Sequence, residues 1–166
     1  MATPQREHWL RGPVANVPAL LQPVAHALLQ AKDEINEMMN NVSDNLLWQK
    51  PGGAASPAFH LQHIPGVLDR LFTYASGQML SAEQLEYLKK EGVEDEKATT
   101  DSLLQQLNLK IESSIDRLKD FENDLTSVRY VGRQQIPSTV LGLLFHSAEH
   151  TMRHTGQLLV TLKVLQ

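Results

Sequence analysis

Cysteine is absent from the 166 residues. No disulfide and no thiolate ligand can be built, so any metal site must use imidazole, carboxylate or water. Aromatic residues are scarce at 5%, which leaves Leu as the main core-forming side chain and speaks against a β-sandwich. No stretch approaches the roughly 18 consecutive apolar residues of a membrane span, and no membrane association is expected. Basic residues do not predominate either. Fifteen Lys and Arg stand against 19 Asp and Glu, a formal net charge of −4, and without a basic stripe nucleic acid is not an expected partner. The opening Met1-Ala-Thr-Pro-Gln-Arg-Glu-His8 lacks the apolar core of an export signal. Together these absences imply a cytoplasmic protein.

What is present is helical. Hydrophobic residues make up 42% of the chain, enough for a core, and the length suits one domain over residues 1–166. Residues 1–17, with Gly12 and Pro13, read as an irregular lead-in. Apolar residues at helical spacing then run from Leu20 to Asn40. Ser56-Pro57 is an N-cap followed by a first-turn proline, opening a second helix that reaches Gly77. Pro65 inside it cannot donate to the carbonyl of Leu61, so a kink is expected. Ser81 and Gln84 match a capping box for a short helix ending near Gly92. Residues 91–101 are charged and nearly devoid of apolar side chains, and read as a solvated connection. A third long helix spans about Thr100 to Asp124. Residues 128–135 read as a loop, with a brief extended stretch as the alternative, and the fourth long helix is expected to start near Ile136-Pro137-Ser138 and run to the C-terminus. This is the pattern of an all-α, four-helix up-down bundle, in which cofactors are housed between facing helices.

The chain has seven histidines, and five fall in two groups. His60 and His63 lie on the second helix; His146, His150 and His154 lie on the last. His8 and His26 stand alone and read as ordinary surface or core residues. Histidines four apart on a helix share a face, with β-carbons roughly 6 Å apart, which lets two imidazoles reach one ion. His146, His150 and His154 cannot all serve one ion, because eight residues of helix span about 12 Å. The apolar stripe of the last helix runs through Val140, Leu144, Ser147, Thr151, Leu158 and Leu162. His154 lies nearest to it, His150 at its border and His146 toward solvent, so the inward pair is His150 and His154. On the second helix His60 lies nearer the apolar centre, but Pro65 weakens the wheel and spacing leaves His60 and His63 level. Thr151 stands where a zincin helix would carry its glutamate, which excludes that protease chemistry.

His150-x-x-x-His154-x-Gly-Gln157, with Ser56 seven residues before His63, resembles the DinB/YfiT-like superfamily. Leu10-Arg-Gly-Pro13, Ser56-Pro-Ala-Phe-His-Leu-Gln-His-Ile64, Leu68-Asp-Arg-Leu-Phe-Thr-Tyr-Ala75 and Val140-Leu-Gly-Leu-Leu-Phe-His-Ser-Ala-Glu-His150 add to the likeness, which extends over most of the chain. The resemblance implies a four-helix bundle, often a homodimer, binding nickel, zinc or a similar divalent ion. It places the ligands on His63, His150 and His154, and so decides between His60 and His63. Family members often read His-His-Arg-Gly-Gln, whereas this chain has Arg153-His154-Thr155-Gly156-Gln157, so the ligands survive in an altered setting. The resemblance further implies a metal-dependent transferase or hydrolase acting on a small-molecule substrate, with a low-molecular-weight thiol as one co-substrate. The alternative is a non-catalytic dimerising bundle with a structural or regulatory metal. Gln62, Glu149 and Gln157 are close enough in sequence to orient the ligands. A four-helix haem protein is a weaker reading, since haem needs a wider apolar slot.

Overall fold

The computed structural model describes residues 6–166; Met1–Gln5, which begin the expected lead-in, lie outside the described residues. The described residues are mostly helical, with five α-helices and one two-stranded antiparallel sheet among them. Helix α1 spans Gln22–Met39, α2 Pro57–Ala75, α3 Ala82–Lys90, α4 Thr100–Arg117 and α5 Val140–Leu165. Helices α1 and α2 each pack against both α4 and α5, and the short α3 lies against α2. One cluster of buried side chains joins the four long helices, including Leu28 and Ile35 of α1, Leu61, Leu68 and Phe72 of α2, Leu107 and Ile111 of α4, and Leu144 and Leu158 of α5. Each such side chain contributes about 1.5–3 kcal/mol through loss of apolar contact with water.

Local signals set the helix starts. Ser56 accepts a hydrogen bond from the backbone N–H of Phe59 at 3.3 Å, and Pro57 occupies the first turn, where no donor is needed. The helix then runs unbroken through Pro65 to Ala75. Ser81 and Gln84 close the expected capping box on α3, and Thr99 and Ser102 form a second on α4.

Three boundaries differ from the sequence expectation. Part of the lead-in is ordered, with a 3-10 turn at His8–Leu10. The third long helix gives way at Leu118 to a 3-10 turn, Leu118–Phe121. Residues read as a loop and as the start of the last helix form a hairpin instead: β1, Val128–Val131, pairs with β2, Ile136–Thr139. Pro137 explains the shift in α5. It lies in β2, opposite Tyr130, in a two-stranded sheet whose outer edge needs no donor from it. The helix begins only at Val140, where Thr139 accepts from the Gly142 N–H at 3.0 Å. The first amides of α5, on Val140 and Leu141, donate to the carbonyls of Ser127 and Leu125, which satisfies donors that a helix start otherwise leaves open.

Candidate metal centre

Two helices and one connecting residue build the centre. From α2, His60 and His63 both turn toward α5; from α5, His150 and His154 turn toward α2. The Nε2 of His150 lies 3.0 Å from the Nε2 of His63 and 3.1 Å from the Nε2 of His154. The three rings offer ligand atoms that all lie within 4.8 Å of one another, a group able to hold a metal ion. His60 is not part of that group. Its Nδ1 faces the Nδ1 of His154 at 3.0 Å, on the side of that ring away from the shared point. Burial follows the order read from the sequence: His154 is 9% exposed, His150 is half-buried and His146 is exposed. A second grouping, His146 with Glu149 and His150, is more open, and Glu149 there already pairs with Arg153 and His146.

The partner of His63 comes from an unexpected place. Its Nδ1 lies 2.6 Å from Glu91 Oε2, and Glu91 also pairs with Arg70 at 2.5 Å. Glu91 lies in the charged stretch expected to be a solvated connection, yet its side chain is only 3% exposed. The backbone makes this possible. Helix α3 ends at Lys90, and Gly92 turns the chain with φ +76°, packed so closely on Phe59 that a β-carbon would sit 2.9 Å from the ring. Gly66 clears the other side, because a β-carbon there would collide with Glu91 Oε1 and approach Arg70 Nη1 to 2.8 Å. The sequence did carry two signals: Arg70 within an otherwise apolar helix face, which requires a buried counter-charge, and an isolated Gly66 in the helix interior. The residues expected to orient the ligands do other work. The Gln62 side chain accepts from the Gly92 N–H at 2.8 Å, Glu149 binds Arg153, and Gln157 is exposed.

Proton positions follow from these contacts. A carboxylate only accepts, so in the neutral His63 ring the proton sits on Nδ1 and the Nε2 lone pair points to the other two rings. Burial, followed by the neighbouring His63, pushes His150 and His60 down to about 4 and His154 down to about 3. All three are therefore neutral at pH 7, because a charged ring would lose its hydration. Phe59 stacks on His63 with centroids 4.9 Å apart and planes 15° apart, which fixes the ring's tilt. The donor set is three imidazole nitrogens, suited to a borderline divalent cation. Four of the triad's six nitrogens sit in contacts with one another or with Glu91 and a fifth meets His60. The sixth, His150 Nδ1, is the one buried side-chain polar atom without a partner among the described residues. Three converging nitrogens whose rings carry few protons are poorly satisfied as hydrogen-bond partners alone, and the set fits a cation.

Among the described residues, no helix is long and apolar enough to cross a membrane. A family model described as the DinB superfamily matches residues 27–158, a span that contains all four inward-facing histidines and Glu91. A search of curated proteins finds no match to the chain.

Proposed function

The chain belongs to the DinB superfamily, and from that premise we propose that it binds one divalent ion through His63, His150 and His154 and uses it as a metal-dependent transferase or hydrolase. The observation that carries this reading is the convergence of three Nε2 atoms at 3.0 and 3.1 Å. Nitrogens about 2.1 Å from an ion and at right angles around it would be about 3.0 Å apart, and in a tetrahedron about 3.4 Å. The two spacings lie in the range that a shared ion would set, and three imidazole ligands would leave positions for substrate on nickel or zinc, the occupants we favour. No fourth histidine or carboxylate belongs to the group among the described residues.

When bound, a divalent ion supplies Lewis acidity that brings the proton of a water or thiol within reach of neutral pH. The protein does the rest. Glu91, held by Arg70, keeps the His63 proton on Nδ1 and the ring aimed. His60 meets His154 from the opposite side, its Nδ1 3.0 Å from the His154 Nδ1. Phe59 and the buried α2–α5 seam exclude bulk water from one side of the rings. The substrate is a small molecule, with a low-molecular-weight thiol as one candidate co-substrate. The wider reading is one domain over residues 1–166, a four-helix up-down bundle that forms homodimers in the cytoplasm, with neither nucleic acid nor membrane as partner.

The close enclosure of His154 and the stacking of Phe59 on His63 favour a second reading, a structural ion in a non-catalytic dimer. X-ray absorption on the loaded protein separates the two: exogenous oxygen or sulfur neighbours beside three imidazoles support chemistry, and a shell of protein ligands alone supports structure. Elemental analysis tests the common premise. The purified protein is expected to carry close to one equivalent of nickel or zinc and His150→Ala almost none; a full equivalent retained by the variant overturns the site.

A further inference from the structure

A cavity of about 540 Å³ lies beside the centre, lined on one side by His60, which contacts His154. Its lining includes Ala54, Ala55 and Val160 as apolar surface and His60, Arg153 and Gln157 as polar surface, and no acidic side chain lines it. His60 is only 2% exposed. Its Nδ1 is taken by His154, whereas its Nε2 has no hydrogen-bond partner among the described residues and is not sealed from solvent. His60 is one of the residues that line the cavity, and we take this as the opening for that nitrogen. Arg153 reaches Glu149 through Nε and Nη2, which leaves Nη1 uncommitted among the described residues.

The metal centre decides what His60 offers this cavity. If His154 uses its Nε2 lone pair for an ion, its proton must sit on Nδ1, and that N–H donates to His60 Nδ1 across 3.0 Å. A neutral His60 that accepts at Nδ1 carries its own proton on Nε2. Loading the centre therefore turns His60 into a fixed N–H donor facing the cavity. With the ion absent, the proton shared by the two Nδ1 atoms can also sit on His60, whose Nε2 then presents the cavity with a lone pair.

We propose that this cavity binds a small carboxylate, whose oxygen accepts from His60 Nε2–H while the Arg153 guanidinium supplies the opposing charge. The proposal rests on the metal reading above, and it makes His60 the link between the two sites. Because linkage is reciprocal, the carboxylate and the ion each tighten the other.

Butyrate is a suitable probe, with butyramide as its uncharged counterpart and zinc as a diamagnetic ion for amide NMR. Butyrate is expected to shift the Ala55, Gly156 and Gln157 amides saturably, about tenfold more tightly with zinc than without. Butyramide and the Arg153→Met variant should each weaken binding by about tenfold, with zinc content unchanged. His60→Leu should abolish the zinc dependence, and His60→Gln, which can still accept and donate, should restore part of it. A zinc-loaded protein that shows no saturable shifts at these amides, or that binds butyrate and butyramide equally, overturns the proposal. Equal affinity with and without zinc overturns the link through His60. Failure to take up zinc at all is read separately by elemental analysis, and it overturns the metal reading and this proposal together.

Discussion

Glu91 shows how much can turn on one side chain. Its carboxylate is buried against Arg70 and His63, and burial of a charge is tolerated only when it is paired and hydrogen-bonded on both oxygens. Glu91→Gln preserves the shape but offers His63 an amide, which can donate as well as accept, so the His63 proton is no longer held on Nδ1. Metal affinity is expected to fall by about 10–100-fold, measured by competition with a chelator of known affinity, with little change in the circular dichroism of the helices. An unchanged affinity would show that Phe59 alone orients the ring. This residue was hidden in the sequence because composition reports average exposure. Residues 91–101 are as hydrophilic as a solvated connection should be, and only the distant Arg70 and Gly66 reveal that one member points inward.

At the scale of the element, caps and periodicity were informative and tertiary placement was not. The start of α2 at Ser56-Pro57, the capping box of α3 and the apolar stripe of α5 could all be read directly, because each depends on residues within one or two turns. The stripe ordered His146, His150 and His154 correctly from solvent to core, so His150 and His154 were selected from the sequence. The choice between His60 and His63 was not legible. Both face α5, and they differ only in which nitrogen meets which partner across the seam. The second strand of the hairpin and its pairing also escaped, since a four-residue strand carrying Pro137 has too little pattern to compete with the helix that follows. Ser56 tests the local argument. It is fully buried and caps the helix that carries His60 and His63. Ser56→Ala is expected to cost about 1 kcal/mol, read from urea unfolding, and to weaken metal binding because the first two turns of α2 carry His60 and His63.

For the molecule as a whole, the histidines make stability depend on pH. Burial holds His60, His150 and His154 at about 4, 4 and 3 in the folded chain, below the ordinary imidazole value of 6.5. Between these values the unfolded chain binds protons that the folded chain refuses, so acid favours unfolding. Stability from this source is intact above about pH 6.5 and is lost progressively as the pH falls toward 4 and then 3. The metal-free protein should show a lower urea midpoint at about pH 5 than at about pH 7.5. The difference should shrink in a variant with His60 and His154 both replaced by Gln; an undiminished difference would place the sensitivity in other groups.

The converging nitrogens come from only two helices, and 87 residues of chain separate His63 from His150. An ion bound there acts as a clasp on a long loop: it engages the closed seam and has nothing to grip once α2 and α5 part. The far end of α2 is held independently, where Phe72 meets Phe121 edge to face with centroids 6.0 Å apart. Withdrawal of metal should therefore loosen one end of the seam before the other, giving proteases their first foothold in the segment leading into α2. The lifetime of the protein would then follow the supply of the ion it carries.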